Sequence, residues 1–245
     1  NELGNTYIFF QSDNGYFLGE HRYSKSKFLA YEPSVQVPLA VRGPIAKKGR
    51  VSHAIVSNVD LAATITNLAH TDPRLATDGR SFKPLLRKPR HRGNRAVLLE
   101  SYLYPSDPLN AHLDLTRPFV TGAQSNKSGA SASGASASGA TASSSAPPLN
   151  YSAIRTCNYK YIEYADGGRE LYDLKADPHE LRNKVHSRRY SKVYMYLEDQ
   201  LDKRRFCDGA ACRKGVKHIP YVKPKPKKKH HKHKKHKGQS GGATS

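Results

Sequence analysis

Apolar residues are concentrated in two parts of the chain, residues 1–120 and 150–206, while residues 124–148 and 213–245 contain almost none. A segment with so little apolar surface cannot offset the conformational entropy that it would lose on folding. We therefore predict that only the first two parts fold. The Ser/Gly/Ala-rich insertion at 124–148 and the Lys/His-rich tail at 213–245 are predicted to be disordered.

The first part opens with the apolar run Tyr7-Ile8-Phe9-Phe10, which is closed by polar residues and Gly15. This pattern predicts a strand buried on both faces, followed by a turn. A second strand is predicted over residues 35–42, where Pro38 indicates an edge or a bulge.

A helix is predicted from Ser57 or Asn58, as the capping residue, to about Ala69. Its apolar positions fall on one helical face: Leu61, Ile65, Leu68 and Ala69. Buried strands with helical cover predict an α/β fold with a parallel or mixed sheet.

The second part alternates polar and apolar residues in three runs, Tyr151–Thr156, Tyr159–Tyr164 and Glu170–Leu174, with a turn at residues 165–168 between the last two. Such alternation is typical of antiparallel hairpins. Residues 190–206 have the pattern of a helix. We expect a small antiparallel sheet covered by one helix.

Three cysteines divide into a close pair and a single residue. Cys207 and Cys212 flank a short turn, so a disulfide between them is plausible in an oxidising compartment. Cys157 lies in a predicted strand, where a buried, inert thiol is the expected state.

Candidate chemistry follows the first strand. Asp13 and Asn14 place a carboxylate and an amide oxygen side by side, and Gly15 lets the chain turn away without covering them. Calcium and magnesium prefer such oxygen ligands. Taken alone, the tripeptide is typical of a β-turn, His21 of a structural histidine and Lys27 of a solvated cation. Their combination within fifteen residues suits an oxygen-rich anion held on a cation.

This stretch resembles the sulfatase family of the alkaline-phosphatase-like superfamily. The likeness covers most of residues 5–212 outside the insertion. The matching motifs, in order, are Ser12-Asp13-Asn14-Gly15, Leu18-Gly19-Glu20-His21, Lys27, Tyr31-Glu32, Val37-Pro38-Leu39, Val41-Arg42-Gly43-Pro44, residues 56–65, Asp78-Gly79-Arg80-Ser81, residues 170–174, Asp177-Pro178-His179-Glu180 and Asn183.

The resemblance implies a mixed sheet flanked by helices over residues 1–123, as the C-terminal part of a catalytic domain, and a C-terminal subdomain over residues 149–212. It also implies that Asp13 and Asn14 are ligands of calcium, with magnesium possible, and that Lys27 contacts the sulfate. Spacing to Tyr31-Glu32 favours Lys27 over Lys25 for that contact. By the same resemblance, His21 lies near the substrate as an active-site or supporting group.

The family nucleophile is a formylglycine made from a Cys/Ser-x-Pro/Ala-x-Arg motif, and neither Cys157 nor Cys207 begins such a motif. The family's first pair of aspartate ligands is missing as well. Because the chain begins at Asn1, we expect further sequence upstream, and we predict that the chain is inactive alone. The resemblance thus implies a sulfuric ester hydrolase acting on aryl or sugar sulfates. The alternatives are a related phosphatase or phosphodiesterase and a non-catalytic remnant that binds polyanions.

The formal net charge is +21. Twelve Lys and Arg without Asp or Glu follow Cys212, which leaves +9 for residues 1–212. The stretch 223–237 contains nine lysines and four histidines, so contact with a polyanion is expected, whereas the absence of interleaved aromatic residues argues against sequence-specific nucleic-acid binding.

No apolar stretch is long enough to cross a membrane. Sequons at Asn126 and Asn150 agree with the secreted or lysosome-like location that the family implies.

Overall fold

The computed structural model describes residues 2–23, 27–91, 93–102, 150–217 and 219–222. The predicted insertion at 124–148, Lys25, the sequon at Asn126 and most of the tail lie outside these residues. The elements form two antiparallel sheets with helices between and beside them. The described part of the chain contains no helix long and apolar enough to span a membrane.

The first sheet is a two-stranded ribbon of β1 (Ile8–Gln11) and β2 (Leu39–Arg42). The strands run antiparallel, with Ile8 opposite Arg42 and Gln11 opposite Leu39. The expectation that β1 is buried on both faces is wrong, because Ile8 is 45% and Phe10 68% exposed. Within the described residues only β2 pairs with β1, so an apolar run here does not indicate burial.

The segment between these strands contains a short helix, α1 (Glu32–Val35). The second predicted strand therefore begins four residues late, after Pro38 rather than at residue 35. Pro33 takes the first turn of α1, where a missing N–H group costs nothing.

Helix α2 (Asp60–Ala69) confirms the predicted helix, but neither Ser57 nor Asn58 caps it with a side chain. The Asp60 carboxylate instead accepts the backbone N–H groups of Ser57 and Arg80 at 2.8 and 2.7 Å, and pairs with Arg95.

The buried face of α2 also differs from the predicted apolar face. Asp60 and Thr64 are fully buried, while Ile65 is 50% exposed. The Thr64 hydroxyl donates to the Asp60 carbonyl and accepts the N–H of Phe82, so hydrogen bonds decide which face turns inward. Phe82 immediately precedes α3 (Lys83–Arg87).

The second sheet has the order β3-β4-β5-β6, all antiparallel. Its strands are β3 (Ala96–Ser101), β4 (Tyr151–Thr156), β5 (Tyr159–Tyr164) and β6 (Arg169–Asp173). The three predicted hairpin strands are confirmed within one residue. The strand β3, which pairs along the whole of β4, is an addition that the sequence patterns did not predict.

Both faces of this sheet are covered. The predicted helix is α4 (Ser191–Arg205), and its Val193, Leu197 and Leu201 pack on one face. The other face contacts the segment that follows the candidate metal ligands, through Phe17 and residues 29–31. The candidate site is thereby attached directly to the second sheet.

After α4, a short helix, α5 (Gly209–Cys212), ends at the disulfide between Cys207 and Cys212. The pairing expected from their spacing is therefore present. Cys157 is exposed, which contradicts the expectation of a buried thiol. It lies in the tight turn between β4 and β5, so its side chain is not part of either strand face.

Candidate active site

The residues that follow β1 form a compact polar turn. The Ser12 hydroxyl donates to the Asn14 carbonyl at 2.8 Å, and the Asn14 N–H donates to Asp13 Oδ1 at 2.8 Å. Asn58, next to α2, donates from Nδ2 to the Asp13 carbonyl at 3.0 Å and accepts from Gln11 Nε2 at 2.6 Å. The end of β1 is thus fixed from two directions, and the Asp13 side chain stays exposed.

Gly15 is required because the chain passes very close to α1. Its N–H donates to the Ser34 carbonyl at 2.8 Å, and a Cβ on Gly15 would lie only 2.0 Å from the Pro33 carbonyl oxygen. No side chain fits at that distance. The glycine therefore holds Asp13 and Asn14 against the segment that contains Tyr31 and Glu32.

Lys27 lies at this turn. Its Nζ is 3.4 Å from Asn14 Oδ1 and 5.0 Å from the centre of the Phe28 ring. The structure therefore brings two of the four predicted site residues into contact, Lys27 and Asn14. The exposed carboxylate of Asp13 is next to them in the chain, at the same end of the ribbon.

The donor set fits part of a metal site. Asp13 and Asn14 offer the hard oxygen atoms that calcium and magnesium prefer, but calcium takes about six to eight ligands. Across the described ranges, no group of three or more His, Cys, Asp or Glu side chains is placed to hold a metal ion. The two residues would hold a cation only together with further ligands.

His21 lies in an aromatic cluster. Its ring stacks on Tyr31 with a centroid distance of 4.0 Å and an interplanar angle of 9°, and meets Phe17 edge-on at 6.3 Å. Burial, followed by the positive charge of Lys160, lowers the pKa of His21 below 6.5 against the opposing effects of Asp177, Glu20 and a hydrogen bond with the His179 backbone. A neutral imidazole, held in place by aromatic contacts, is the state at neutral pH.

A partly buried carboxylate, Glu170, lies behind His21. The hydroxyl groups of Tyr31 and Tyr164 both donate to Glu170 at 3.0 Å. Burial raises the pKa of Glu170, although the hydrogen bonds from Tyr164, Tyr31 and Tyr172 oppose the rise. The ring on which His21 stacks is therefore fixed at its hydroxyl end by a residue of β6.

Lys160 of β5 fastens the same segment to the sheet. Its side chain is fully buried, and Nζ lies 2.7 Å from Glu32 Oε1, 2.7 Å from Glu180 Oε1 and 2.6 Å from the Ala30 carbonyl. The ammonium group therefore donates a hydrogen bond to the Ala30 carbonyl and forms ion pairs with two carboxylates.

Arg155 of β4 completes this network by contacting Glu32 Oε2 from Nη2 at 2.9 Å and Oε1 from Nε at 3.3 Å. Burial acts to raise the pKa of Glu32, but Arg155 and Lys160 outweigh it and lower the pKa to about 2. Burial raises the pKa of Glu180 against the effect of Lys160. Two cations and two carboxylates therefore form a buried, charge-matched cluster under the candidate site.

Lys160 and Arg155 belong to none of the motifs recognised in the sequence. Glu32, Glu170 and Glu180 occur there only as parts of motifs, without a role of their own. A signal for this cluster was present in the strand Tyr159–Tyr164. Lys160 lies within this strand, which is buried on both faces. A lysine at such a position requires anionic partners. Its partner Glu32 is more than one hundred positions away in the chain and its partner Glu180 is twenty positions away, so no local pattern reveals them.

Comparison with known proteins identifies the wider relationship. Residues 19–114 and 147–206 match the family described as N-sulphoglucosamine sulphohydrolase, C-terminal, which is more than half of the chain. The N-acetylglucosamine-6-sulfatase of Capra hircus is 35% identical over 190 residues, covering 74% of this chain and 32% of that protein. An arylsulfatase of Chlamydomonas reinhardtii is 30% identical over 220 residues, covering 86% and 31%.

A solved structure with its substrate, D-glucosamine-2-N,6-O-disulfate, superposes with a TM-score of 0.62 at 29% identity. The superposed region is 82% of this chain and 34% of the chain in that structure. The chain spans about a third of the length of these relatives. The α/β fold is thereby confirmed as that of the sulfatases. On the extent of the family match, the chain belongs to the N-sulphoglucosamine sulphohydrolase C-terminal family of sulfatases.

Proposed function

We propose that this chain is the C-terminal portion of a sulfuric ester hydrolase that releases sulfate from a sulfated amino sugar. The observation that supports the proposal is the contact of Lys27 with Asn14, beside Asp13, at the end of β1. An ammonium group beside two hard oxygen donors suits a sulfate group bound partly by Lys27 and partly by a metal ion. The similar N-acetylglucosamine-6-sulfatase and the similar structure bound to a glucosamine disulfate favour an amino-sugar sulfate. The similar arylsulfatase makes an aryl sulfate the alternative substrate.

The residues of this chain have separate roles in the proposed reaction. Lys27 attracts the anionic sulfate group, and Asp13 and Asn14 supply two of the ligands of the cation. His21, neutral and stacked on Tyr31, supports the wall of the site. Its ring nitrogen that does not bond the His179 backbone can form a hydrogen bond with the sugar. When bound, calcium would supply positive charge at the sulfate oxygens, and a formylglycine encoded upstream would supply the nucleophile.

The disulfide between Cys207 and Cys212 supports an oxidising location for the protein, secreted or lysosome-like. Asn150, the described sequon residue, directly precedes β4. Glycan attachment there would agree with the same route.

A double substitution tests the proposed site. In a longer protein that contains this chain and the formylglycine motif, Asp13→Ala with Asn14→Ala should lower calcium-dependent hydrolysis of a sulfated glucosamine by about 100-fold or more, because sulfate loses its electrostatic support. Asp166→Ala is the matched control, since Asp166 also accepts a backbone N–H in a turn. Activity equal to that of the control would remove Asp13 and Asn14 from the site.

The alternatives have their own outcomes. Faster hydrolysis of a matched phosphate monoester would indicate the related phosphatase. A parent sequence without any Cys/Ser-x-Pro/Ala-x-Arg motif would indicate the non-catalytic remnant. The 245-residue chain assayed by itself is expected to be inactive.

A further inference from the structure

A cluster of exposed cations lies at the far end of the ribbon from the candidate active site. Residues 33–59 and 79–99 contain eleven Lys and Arg and no Asp or Glu. These two segments are joined by a hydrogen bond from the Lys47 N–H to the Leu86 carbonyl at 3.0 Å. The bond places the loop after β2 beside the end of α3.

Six of these cations lie on the loop after β2 and at or just after the end of α3, and all six are exposed. We call them the basic face: Lys47, Lys48, Arg50, Arg87, Lys88 and Arg90. Arg95, by contrast, is paired with Asp60, and Lys83 donates to the Asn67 carbonyl. Of the ion pairs between described residues, none includes a member of the basic face. Like charges gathered without partners repel one another, and a polyanion relieves that repulsion by releasing counterions.

The register of the ribbon separates the basic face from the site. Gln11, which precedes Asp13, is opposite Leu39, while the loop that contains Lys47 leaves β2 after Arg42, opposite Ile8. With a rise of about 3.3 Å per residue, the two ends are roughly 10 Å apart along the strands. A polymer that extends beyond one sugar can therefore contact the basic face while another of its units lies at the candidate active site.

The chemistry of the surface favours a glycan over a nucleic acid. Residues 43–58 and 83–95 contain no Phe, Tyr or Trp on which a base could stack. We propose that the basic face is a docking surface, separate from the catalytic site, for a sulfated polysaccharide. The choice of a sulfated polymer rests on the proposed function, while the surface itself rests on the exposed, unpaired cations.

Charge reversal tests the docking surface in the whole 245-residue chain. Lys47→Glu, Lys48→Glu and Arg87→Glu together should lower the salt concentration at which the chain leaves immobilised heparin. By the counterion-release relation for nucleic acids, three lost contacts should lower the slope of log affinity against log salt by about 2–3. The matched control reverses three exposed cations just before and at the start of α4: Arg188, Arg189 and Lys192. The Lys/His-rich tail is the same in both variants.

Equal shifts in the two triple variants would overturn the proposal, because net charge alone would then explain retention. Duplex DNA that binds as tightly as heparin, and loses affinity equally in the basic-face variant, would overturn the assignment to a sulfated polysaccharide. Circular dichroism checks that both variants fold. In the longer enzyme, hydrolysis of a monosaccharide sulfate should be unchanged by the basic-face substitutions. If the unsubstituted longer enzyme also failed to hydrolyse the monosaccharide sulfate, that result would contradict the proposed function and not the docking surface.

Discussion

His21 has a left-handed backbone conformation, with φ of 52°, and its ring is stacked on Tyr31. Gly19, with φ of 127°, allows the chain to turn into this conformation. A non-glycine residue with positive φ needs its surroundings to hold it there. The aromatic stack and the bond with His179 do so, which explains how a short 3-10 segment on the surface can place an imidazole reproducibly.

The stability of the fold should depend on the protonation of His21. Because burial and Lys160 lower its pKa in the folded state, the unfolded chain binds more protons, and stability falls as pH drops below about 6.5. His21→Phe keeps an aromatic ring on Tyr31 but cannot be protonated. Urea unfolding at pH 7 and pH 5 should therefore show a smaller loss of stability on acidification in the variant. An imidazole that titrates above 6.5 by NMR would contradict the assignment.

At the scale of the elements, the long-range contacts decide how the site is built. The hairpins β4–β6 and the helix α4 followed from alternation and helical periodicity, because these are local signals. The strand β3 and the packing of residues 29–31 on the sheet did not, since each depends on a partner far away in the chain. The same limit applies to the site: its motif was recognisable in the sequence, whereas its attachment through Lys160 was not.

Removal of the Lys160 charge tests that attachment. Lys160→Met leaves the carboxylates of Glu32 and Glu180 buried beside an apolar side chain, and the loss of one partner from a buried ion pair costs about 3–5 kcal/mol. The free energy of unfolding, measured with urea, should fall by that amount. Lys203→Met is the control, because Lys203 is 63% exposed and its pair with Asp199 is worth less than about 1 kcal/mol.

Neutralising both carboxylates should restore part of the loss. In the triple variant with Glu32→Gln and Glu180→Gln, no buried charge is left without a counterion except Arg155, which is 20% exposed. If Lys160→Met were no more destabilising than Lys203→Met, the cluster would not fasten the site segment to the sheet.

At the scale of the whole molecule, the positive charge is divided between the folded part, which contains the basic face, and the Lys/His-rich tail. Residues 1–212 have a net charge of +9, and twelve further cations follow them. Composition could not reveal that part of the folded charge forms one face, because Lys47 and Arg87 are forty residues apart. The fold brings them together, with the Lys47 N–H bonded to the Leu86 carbonyl. We propose that the tail and the basic face both bind polyanions and contribute separately to affinity, as independent sites do.

The tail prediction uses this additivity. Replacing the nine lysines of residues 223–237 with Gln should lower the elution salt of the whole chain on heparin, as the basic-face variant does, and the combined variant should lose the sum of the two effects in log affinity. The four histidines of the tail have an ordinary pKa of about 6.5, so they gain charge toward acid. With the lysines replaced, retention should therefore recover partly between pH 7.5 and 5.5. A tail variant that elutes with the unsubstituted chain at every pH would mean that the folded surface alone accounts for binding, because charges that release no counterions do not contribute to the affinity.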